Sequence, residues 1–427
     1  MADLSVKFAG ISSPNPFWLA SAPPTNTGDQ VMRAFDAGWG GAVWKTIGDP
    51  IVNVSSRYSS VDLGGVRMMG LNNIELITDR TLETNFAEIA EVKRKYPKQA
   101  LIASLMVESK REAWHEIVKR AEGAGADGLE LNFGCPHGMS ERGMGAAVGQ
   151  VPDYTCKITE WVKEAARTPV IVKLTPNITD VTWAARAAKK GGADAVSLIN
   201  TINSITGIDL DSFAPRPTVA GRSSHGGYCG PAVKPIALNM VASVAQDGEV
   251  GLPISGIGGI SSWRDAAEFI VLGASTVQVC TAVMHYGFRI VEDMIDGLSN
   301  YLDDKRIASV AELVGRSLPT VTKWEELDLN YKIIANVNQE KCIGCGLCYV
   351  ACNDGAHQSI GVEPRDDGRS HVWILEDMCV GCNLCSLVCP VEGCITMNKV
   401  ETGRPAVTWK EFSKDPEQHA YLKNPHH

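Results

Sequence analysis

Val170-Ile171-Val172-Lys173-Leu174 is an apolar run closed by a lysine; a helical pattern, Val181–Lys190, follows it, and then a second apolar run, Ala195–Asn200. Short β-branched runs alternating with longer amphipathic segments mark parallel strands joined by crossover helices. The same unit recurs in both directions from this one. Upstream lie the strand candidates Phe17–Ser21, Gly41–Lys45, Leu101–Met106 and Gly128–Asn132; downstream lie Pro253–Ile257 and Thr276–Cys280. Helical patterns intervene, as at Ala113–Ala124, Asp153–Ala166, Val233–Ala245 and Trp263–Leu272. Eight strand–helix units in succession predict an α/β fold in which residues 1–302 form a (β/α)8 barrel, with a doubly wound open sheet as the alternative.

A barrel places its chemistry at the C-terminal ends of its strands. Ser21, Lys45, Asn132 with Cys135, Lys173, Asn200 with Thr201, Gly258 with Gly259, and Thr281 all fall at or just past the end of a strand candidate. Two lysines closing apolar strands need an anionic group to answer them, because an unpaired buried ammonium is costly. The glycine-rich turns Gly226–Gly230 and Gly256–Gly259 each lead into a helix, where bare backbone amides hold phosphate. A phosphorylated cofactor is therefore expected. Gly123–Gly128 fits G-x-G-x-x-G, but there a helix ends and a strand begins, the reverse of a dinucleotide fingerprint. No NAD(P) fold is expected in this chain.

Composition agrees with an ordinary globular protein: 427 residues, 44% hydrophobic and 21% charged. Forty Lys plus Arg against 49 Asp plus Glu give a net charge of −9 with no basic tract, which excludes nucleic acid and an anionic membrane surface as expected partners. The N-terminus lacks the apolar run of a signal peptide, so a cytoplasmic location is expected. Phe269–Gly287 approaches membrane-span length but is interrupted by polar residues and changes period midway, so it reads as a strand between two helical segments.

Nine of the 13 cysteines lie between Cys342 and Cys394. In a reducing compartment such a cluster points to metal or redox chemistry rather than disulfides. Cys342, Cys345, Cys348 and Cys352 form C-x2-C-x2-C-x3-C, and Cys379, Cys382, Cys385 and Cys389, followed by Pro390, repeat it. This is the bacterial ferredoxin spacing for two [4Fe–4S] clusters, in which the fourth cysteine of each run serves the other cluster. One set is then Cys342, Cys345, Cys348 and Cys389, the other Cys379, Cys382, Cys385 and Cys352. Gly344, Gly346 and Gly381 are read as leaving room for backbone near the sulfides. Two zinc sites are the alternative, although zinc normally uses paired C-x2-C. Asn353 stands where a proline usually follows the fourth cysteine, and Cys394 is read as a bystander. The expected division is a barrel at 1–302, a docking linker at 303–339, a small α+β ferredoxin-like domain at 340–400 and a tail at 401–427.

Asn72-Asn73-Ile74-Glu75, Asn132–Gly138, Lys173-Leu174-Thr175-Pro176-Asn177, Asn200-Thr201, Ile257–Ile260 and Cys280-Thr281 together resemble the dihydroorotate dehydrogenase superfamily of FMN barrels, and within it the dihydropyrimidine dehydrogenases. The resemblance runs from about Pro14 to about Met397. It implies an FMN phosphate on Gly230, Gly258, Gly259 and Thr281, and a flavin lined by Ser21, Lys45, Thr46 and Cys280. Lys173 would stand at the flavin edge that becomes negative on reduction. Asn73, Glu75, Asn132, Asn200 and Thr201 would surround a pyrimidine base, whose edge alternates acceptors and donors. Gly134 departs from the serine expected in mammalian relatives.

The same resemblance implies that Cys135 is the general acid: hydride goes from the flavin to C6 of uracil or thymine and a proton from the thiol to C5, with a thiol pKa near neutrality suiting reversible transfer. An inert buried thiol is the alternative, and it is the expectation for Cys156. Gly138–Gly145 would be a lid. Electrons would pass through the two clusters from an FAD and NAD(P)-binding reductase subunit, making a hetero-oligomer. A dihydroorotate dehydrogenase is a rival reading, against which Glu75 is expected to repel the orotate carboxylate; a non-catalytic electron carrier is the other.

Overall fold

The structure, a computed structural model, describes residues 2–49, 53–366 and 368–423. It divides into two compact units, Met1–Thr320 and Val321–His427.

In the first unit eight parallel strands close on themselves: β1 (Phe17–Leu19), β2 (Gly41–Val43), β3 (Ala100–Leu105), β4 (Gly128–Asn132), β5 (Val170–Lys173), β6 (Ala195–Leu198), β7 (Ile254–Ile257) and β8 (Ala274–Val279). Each pairs with its sequence neighbour, and β8 returns to β1 through Val277 opposite Phe17. The barrel, rather than an open sheet, is the observed fold. Its strands are buried on both faces, which is why they read as apolar runs without alternation. Several outer helices begin on side-chain caps that satisfy free amides: Thr27 for Gly28–Ala37, Asp180 for Val181–Lys190, and Ser262 with Asp265 for Trp263–Val271.

The two mouths of the barrel differ. A hairpin, Val6–Phe8 with Ile11–Ser13, packs Phe8 edge-on to Trp18 at 5.6 Å, together with Ile11, Ile102 and Ile171 near the strand starts. At the other mouth the β2–β3 and β6–β7 connections build a four-stranded antiparallel sheet, in the order Ile202–Ser204, Gly226–Cys229, Val66–Asn73 and Tyr58–Leu63. Gly226–Cys229, expected as a phosphate turn, is therefore a strand of this sheet. Only Gly230 is left to open the short helical turn Pro231–Val233. Phe269–Gly287 spans the end of one helix, strand β8 and the helix Thr281–Tyr286. Among the described residues no helix is long and apolar enough to cross a membrane.

In the second unit β9 (Lys332–Val337) pairs antiparallel with β12 (Ile395–Val400), and β10 (Ile360–Pro364) with β11 (Ser370–Ile374). The helices Leu347–Asn353 and Leu384–Leu387 carry two cysteines of one run and one of the other. Cys348, Cys352, Cys385 and Cys394 are core residues beside Ala335, Ile360, Val372 and Ile395. So small an aliphatic core cannot hold a domain of this size without further ties.

The boundaries fall elsewhere than the composition suggested. Val310 and Leu313 are buried in the first unit, so chain past residue 302 completes the barrel. Lys332–Val337, placed in the linker, is an edge of the cluster domain because it supplies the partner for β12. The expected tail folds back: Val407 N donates to Asp328 Oδ1 (3.0 Å), and Leu329 N to Val407 O (2.8 Å). Residues 424–427 of that tail lie outside the described residues.

Candidate active site

Strand ends, short helices and the added sheet line a deep cavity partly open to solvent. The barrel residues given a catalytic, cofactor or substrate role from the sequence line it: Ser21 beyond β1, Lys45 and Thr46 beyond β2, Asn132 and Cys135 at β4, Lys173 at β5, Asn200 and Thr201 beyond β6, Gly230 before the next helix, Gly258 and Gly259 beyond β7, and Cys280 and Thr281 beyond β8. Asn73 and Glu75 enter from the sheet side. Gly230 follows β6 rather than β7, and the added sheet is what brings it round to the same wall.

Both strand-end lysines are buried, and each is answered by a carboxylate of the protein. Lys45 Nζ lies 2.6 Å from Glu75 Oε1. Arg57 Nη1 reaches the same oxygen at 2.8 Å, and Tyr58 Oη donates to Glu75 Oε2 at 2.5 Å. Glu75 is thus saturated by two cations and a phenol and presents no bare negative charge to the cavity. The expectation that it would repel a carboxylate is corrected accordingly. Burial and the adjacent Glu75 carboxylate push the Tyr58 phenol well above its ordinary range, so it stays a donor.

Lys173 forms the floor with its Nζ 3.5 Å from Glu130 Oε1. Glu130 Oε2 accepts from Ser197 Oγ (2.8 Å) and Gln278 Nε2 (3.1 Å). Gln278 Oε1, at the cavity wall, is buried without a hydrogen-bond partner among the described residues.

Between floor and rim runs a chain of short polar contacts. Ser21 Oγ lies 3.1 Å from Thr46 Oγ1, Asn132 Nδ2 donates to Thr46 Oγ1 (2.9 Å), and Asn200 Nδ2 donates to Asn132 Oδ1 (2.9 Å). Asn200 Oδ1 accepts from Thr201 N at 2.8 Å. This fixes the amide orientations of two residues that line the cavity. Gly134 is explained here: a Cβ at this position would stand 2.4 Å from Asn200 Cβ, so a serine cannot enter unless Asn200 moves.

Cys135 is 9% exposed, and its Sγ approaches His137 O at 3.5 Å. Burial pushes the thiol up to about 11, opposed by the hydrogen bond and by the Lys173 charge. The near-neutral value expected from the sequence is therefore corrected: desolvation dominates, and Cys135 holds its proton at neutral pH. The following segment is folded down, with Ser140 Oγ and Ala146 N both donating to Cys135 O (2.6 and 3.0 Å) and with Met139 and Met144 buried beside Cys135. His137 donates its Nε2 proton to Glu75 O at 2.9 Å, and burial lowers its pKa.

The bare backbone opposite this wall suits a phosphate. Gly230, Gly258 and Gly259 have φ of +94°, +132° and +73°. A Cβ on Gly258 would meet Ala237 Cβ at 2.8 Å, and one on Gly259 would meet Gly230 O at 2.9 Å. Bare glycine backbone on one side and the buried Lys173 on the other make a lining compatible with a phosphorylated cofactor.

In the second unit the thiols ring two smaller cavities. Cys352, Cys379, Cys382 and Cys385 surround one, and Cys342, Cys345, Cys348 and Cys389 the other. The fourth cysteine of each run thus crosses to its neighbour's cavity. All 13 cysteines are unbridged. Among the described residues no group of three or more His, Cys, Asp or Glu converges on a single metal ion. All-thiol rings around a cavity with apolar walls fit a cubane better than a lone zinc ion. Ser359 N donates to Cys352 Sγ at 3.2 Å. Cys394, read as a bystander, is buried and lines the second cavity. Gly344 and Gly381, both at φ +68°, are required for a reason other than sulfide access: a Cβ would meet Ser370 O at 2.8 Å and Ile333 O at 2.4 Å.

Arg57, Tyr58, Glu130, His137 and Gln278 were not anticipated. Glu130 did leave a signal, a charged residue between two leucines of a strand; Gln278 is one of several polar residues in its strand, and Arg57 and Tyr58 lie in an insertion with no periodicity to read.

Against known proteins, residues 3–302 match the profile of the family described as dihydroorotate dehydrogenase. The chain belongs to the dihydroorotate dehydrogenase family. It is an oxidoreductase of a family whose barrels bind FMN, and residues 335–397 match a 4Fe-4S dicluster domain. The NAD-dependent dihydropyrimidine dehydrogenase subunit PreA of Escherichia coli (strain K12) is 45% identical over 401 residues, covering 93% of this chain and 96% of that protein. The catalytic subunit of dihydroorotate dehydrogenase B (NAD(+)) from Pyrococcus horikoshii is 36% identical over 317 residues, covering 74% of this chain and 98% of its own length. The ligand-free type DHODH from Eimeria tenella shares the fold with a TM-score of 0.61 at 20% identity, covering 74% of this chain and 92% of its own.

Proposed function

We propose that this chain catalyses the reversible reduction of uracil or thymine to the 5,6-dihydropyrimidine, within a cytoplasmic hetero-oligomer whose partner subunit binds FAD and NAD(P). The observation that carries this reading is coverage. The PreA likeness extends over barrel and dicluster domain together, whereas the dihydroorotate dehydrogenase B likeness reaches 74% of the chain.

When bound, FMN supplies hydride at the barrel mouth and the two [4Fe–4S] clusters supply single electrons. The protein's own groups do the rest. Asn132 and Asn200, held by each other and by Thr46, present amide donors and acceptors to the pyrimidine edge, with Asn73, Glu75 and Thr201 around it. Cys135 gives its S–H proton to C5, and the Lys173 charge favours the thiolate left behind. Gly230, Gly258, Gly259 and Thr281 hold the phosphate, and Ser21, Lys45, Thr46 and Cys280 border the ring. Cys342, Cys345, Cys348 and Cys389 ligate one cluster; Cys352, Cys379, Cys382 and Cys385 ligate the other.

An anaerobic assay with an artificial one-electron donor tests this, offering uracil and thymine in one direction and dihydroorotate in the other. Uracil or thymine turnover is expected. Dihydroorotate oxidation alone would favour the rival activity. Flavin-free protein without turnover would favour the electron carrier.

A further inference from the structure

β4 reads Gly128-Leu129-Glu130-Leu131-Asn132, and the proposed reaction uses only its last residue. Glu130 points into the barrel beneath the cavity and is fully buried. Barrel interiors are normally filled by branched aliphatic side chains. A carboxylate there must be compensated, and packing alone would be served at least as well by an apolar residue of similar volume. Its surroundings are also asymmetric. Oε2 is satisfied by Ser197 and Gln278, which come from β6 and β8, while Oε1 has no hydrogen-bond partner among the described residues and faces the Lys173 ammonium at 3.5 Å. Ser197 and Gln278 therefore hold the carboxylate under Lys173 without neutralising it.

We propose that Glu130 is a positioning residue for the redox step: its buried carboxylate seats the Lys173 ammonium at the cavity floor and cancels part of the positive field that a cofactor above Lys173 experiences. This rests on the reading that the cavity seats FMN over Lys173. A fixed cation favours the reduced, negatively charged form of the ring, and a carboxylate behind that cation weakens the bias. Removing the negative charge while keeping the side chain's shape leaves Lys173 uncompensated, so the flavin becomes easier to reduce.

The test is a spectroelectrochemical titration of the purified holoprotein, comparing wild type with Glu130→Gln and reading the flavin band, with the iron–sulfur signals as an internal control. Glu130→Gln, which can still accept from Ser197 and Gln278, should retain FMN and shift the flavin midpoint to a more positive potential, leaving the cluster potentials in place. An unchanged or more negative flavin midpoint in FMN-replete Glu130→Gln overturns the proposal, as does an equal shift of flavin and clusters. Should Glu130→Gln fail to fold, Glu130→Asp, which withdraws the charge by one methylene, must show a smaller positive shift, and an unshifted midpoint there overturns it equally. Wild-type protein that binds no FMN would instead defeat the reading of the cavity.

Discussion

The proton on Cys135 makes the two directions of the proposed reaction respond oppositely to pH. Burial raises this thiol to about 11, so at pH 8 the thiolate fraction is about one in a thousand. Pyrimidine reduction needs the thiol, which is essentially fully populated below pH 10, so its rate should show no Cys135 limb from pH 7 to 9.5. Dihydropyrimidine oxidation needs the thiolate to take the C5 proton. Its rate should climb about tenfold per pH unit across the same range, because each unit multiplies the thiolate population by about ten. The assay is steady-state oxidation of dihydrouracil with an artificial electron acceptor, run beside uracil reduction on the same preparation. Cys135→Ala should lower both directions by about 10²- to 10⁴-fold and abolish the slope. A flat oxidation profile in the wild-type protein, or a slope that survives in Cys135→Ala, would refute the assignment of the proton to this thiol.

Three further outcomes follow from the geometry. Gly134→Ser must displace Asn200, since its Cβ would lie 2.4 Å from Asn200 Cβ; KM for the pyrimidine should rise at least about tenfold and unfolding free energy fall by about 1–3 kcal/mol in a urea titration. Glu75→Ala leaves Lys45 buried without its 2.6 Å partner, so a loss of about 3–5 kcal/mol is expected by the same titration; a loss below about 1 kcal/mol would contradict a buried pair. Paired cysteine removals distinguish crossed from uncrossed cluster ligation. Cys342→Ala with Cys389→Ala should retain about half the iron and Cys342→Ala with Cys352→Ala almost none, and the reverse pattern would assign each run to its own cluster.

Glu75 and Glu130 show where reading along the chain stops. The two strand-end lysines called for anions, and the anions are side chains 30 residues after Lys45 and 43 before Lys173, brought close by the added sheet in one case and by barrel closure in the other. Cys394 was set aside because it falls outside the ligand spacing, yet the pairing of β9 with β12 carries it to a cavity wall. The domain limits moved for a related reason: Lys332–Val337 has no composition of its own to mark it, and it belongs to the cluster domain only because β12 needs a partner.

The barrel strands and the cysteine runs could be read from sequence alone because both are local. A strand buried on both faces must be apolar along its length, and a cubane held by three nearby thiolates restricts their separation along the backbone. The strand-end residues followed, since a closed parallel barrel directs every strand end to one mouth. What tertiary structure alone decided was the electrostatics: which carboxylate meets which lysine, how far desolvation raises Cys135, and why residue 134 must lack a side chain. Those depend on distances of a few ångströms between segments far apart in the chain, and no local pattern encodes them.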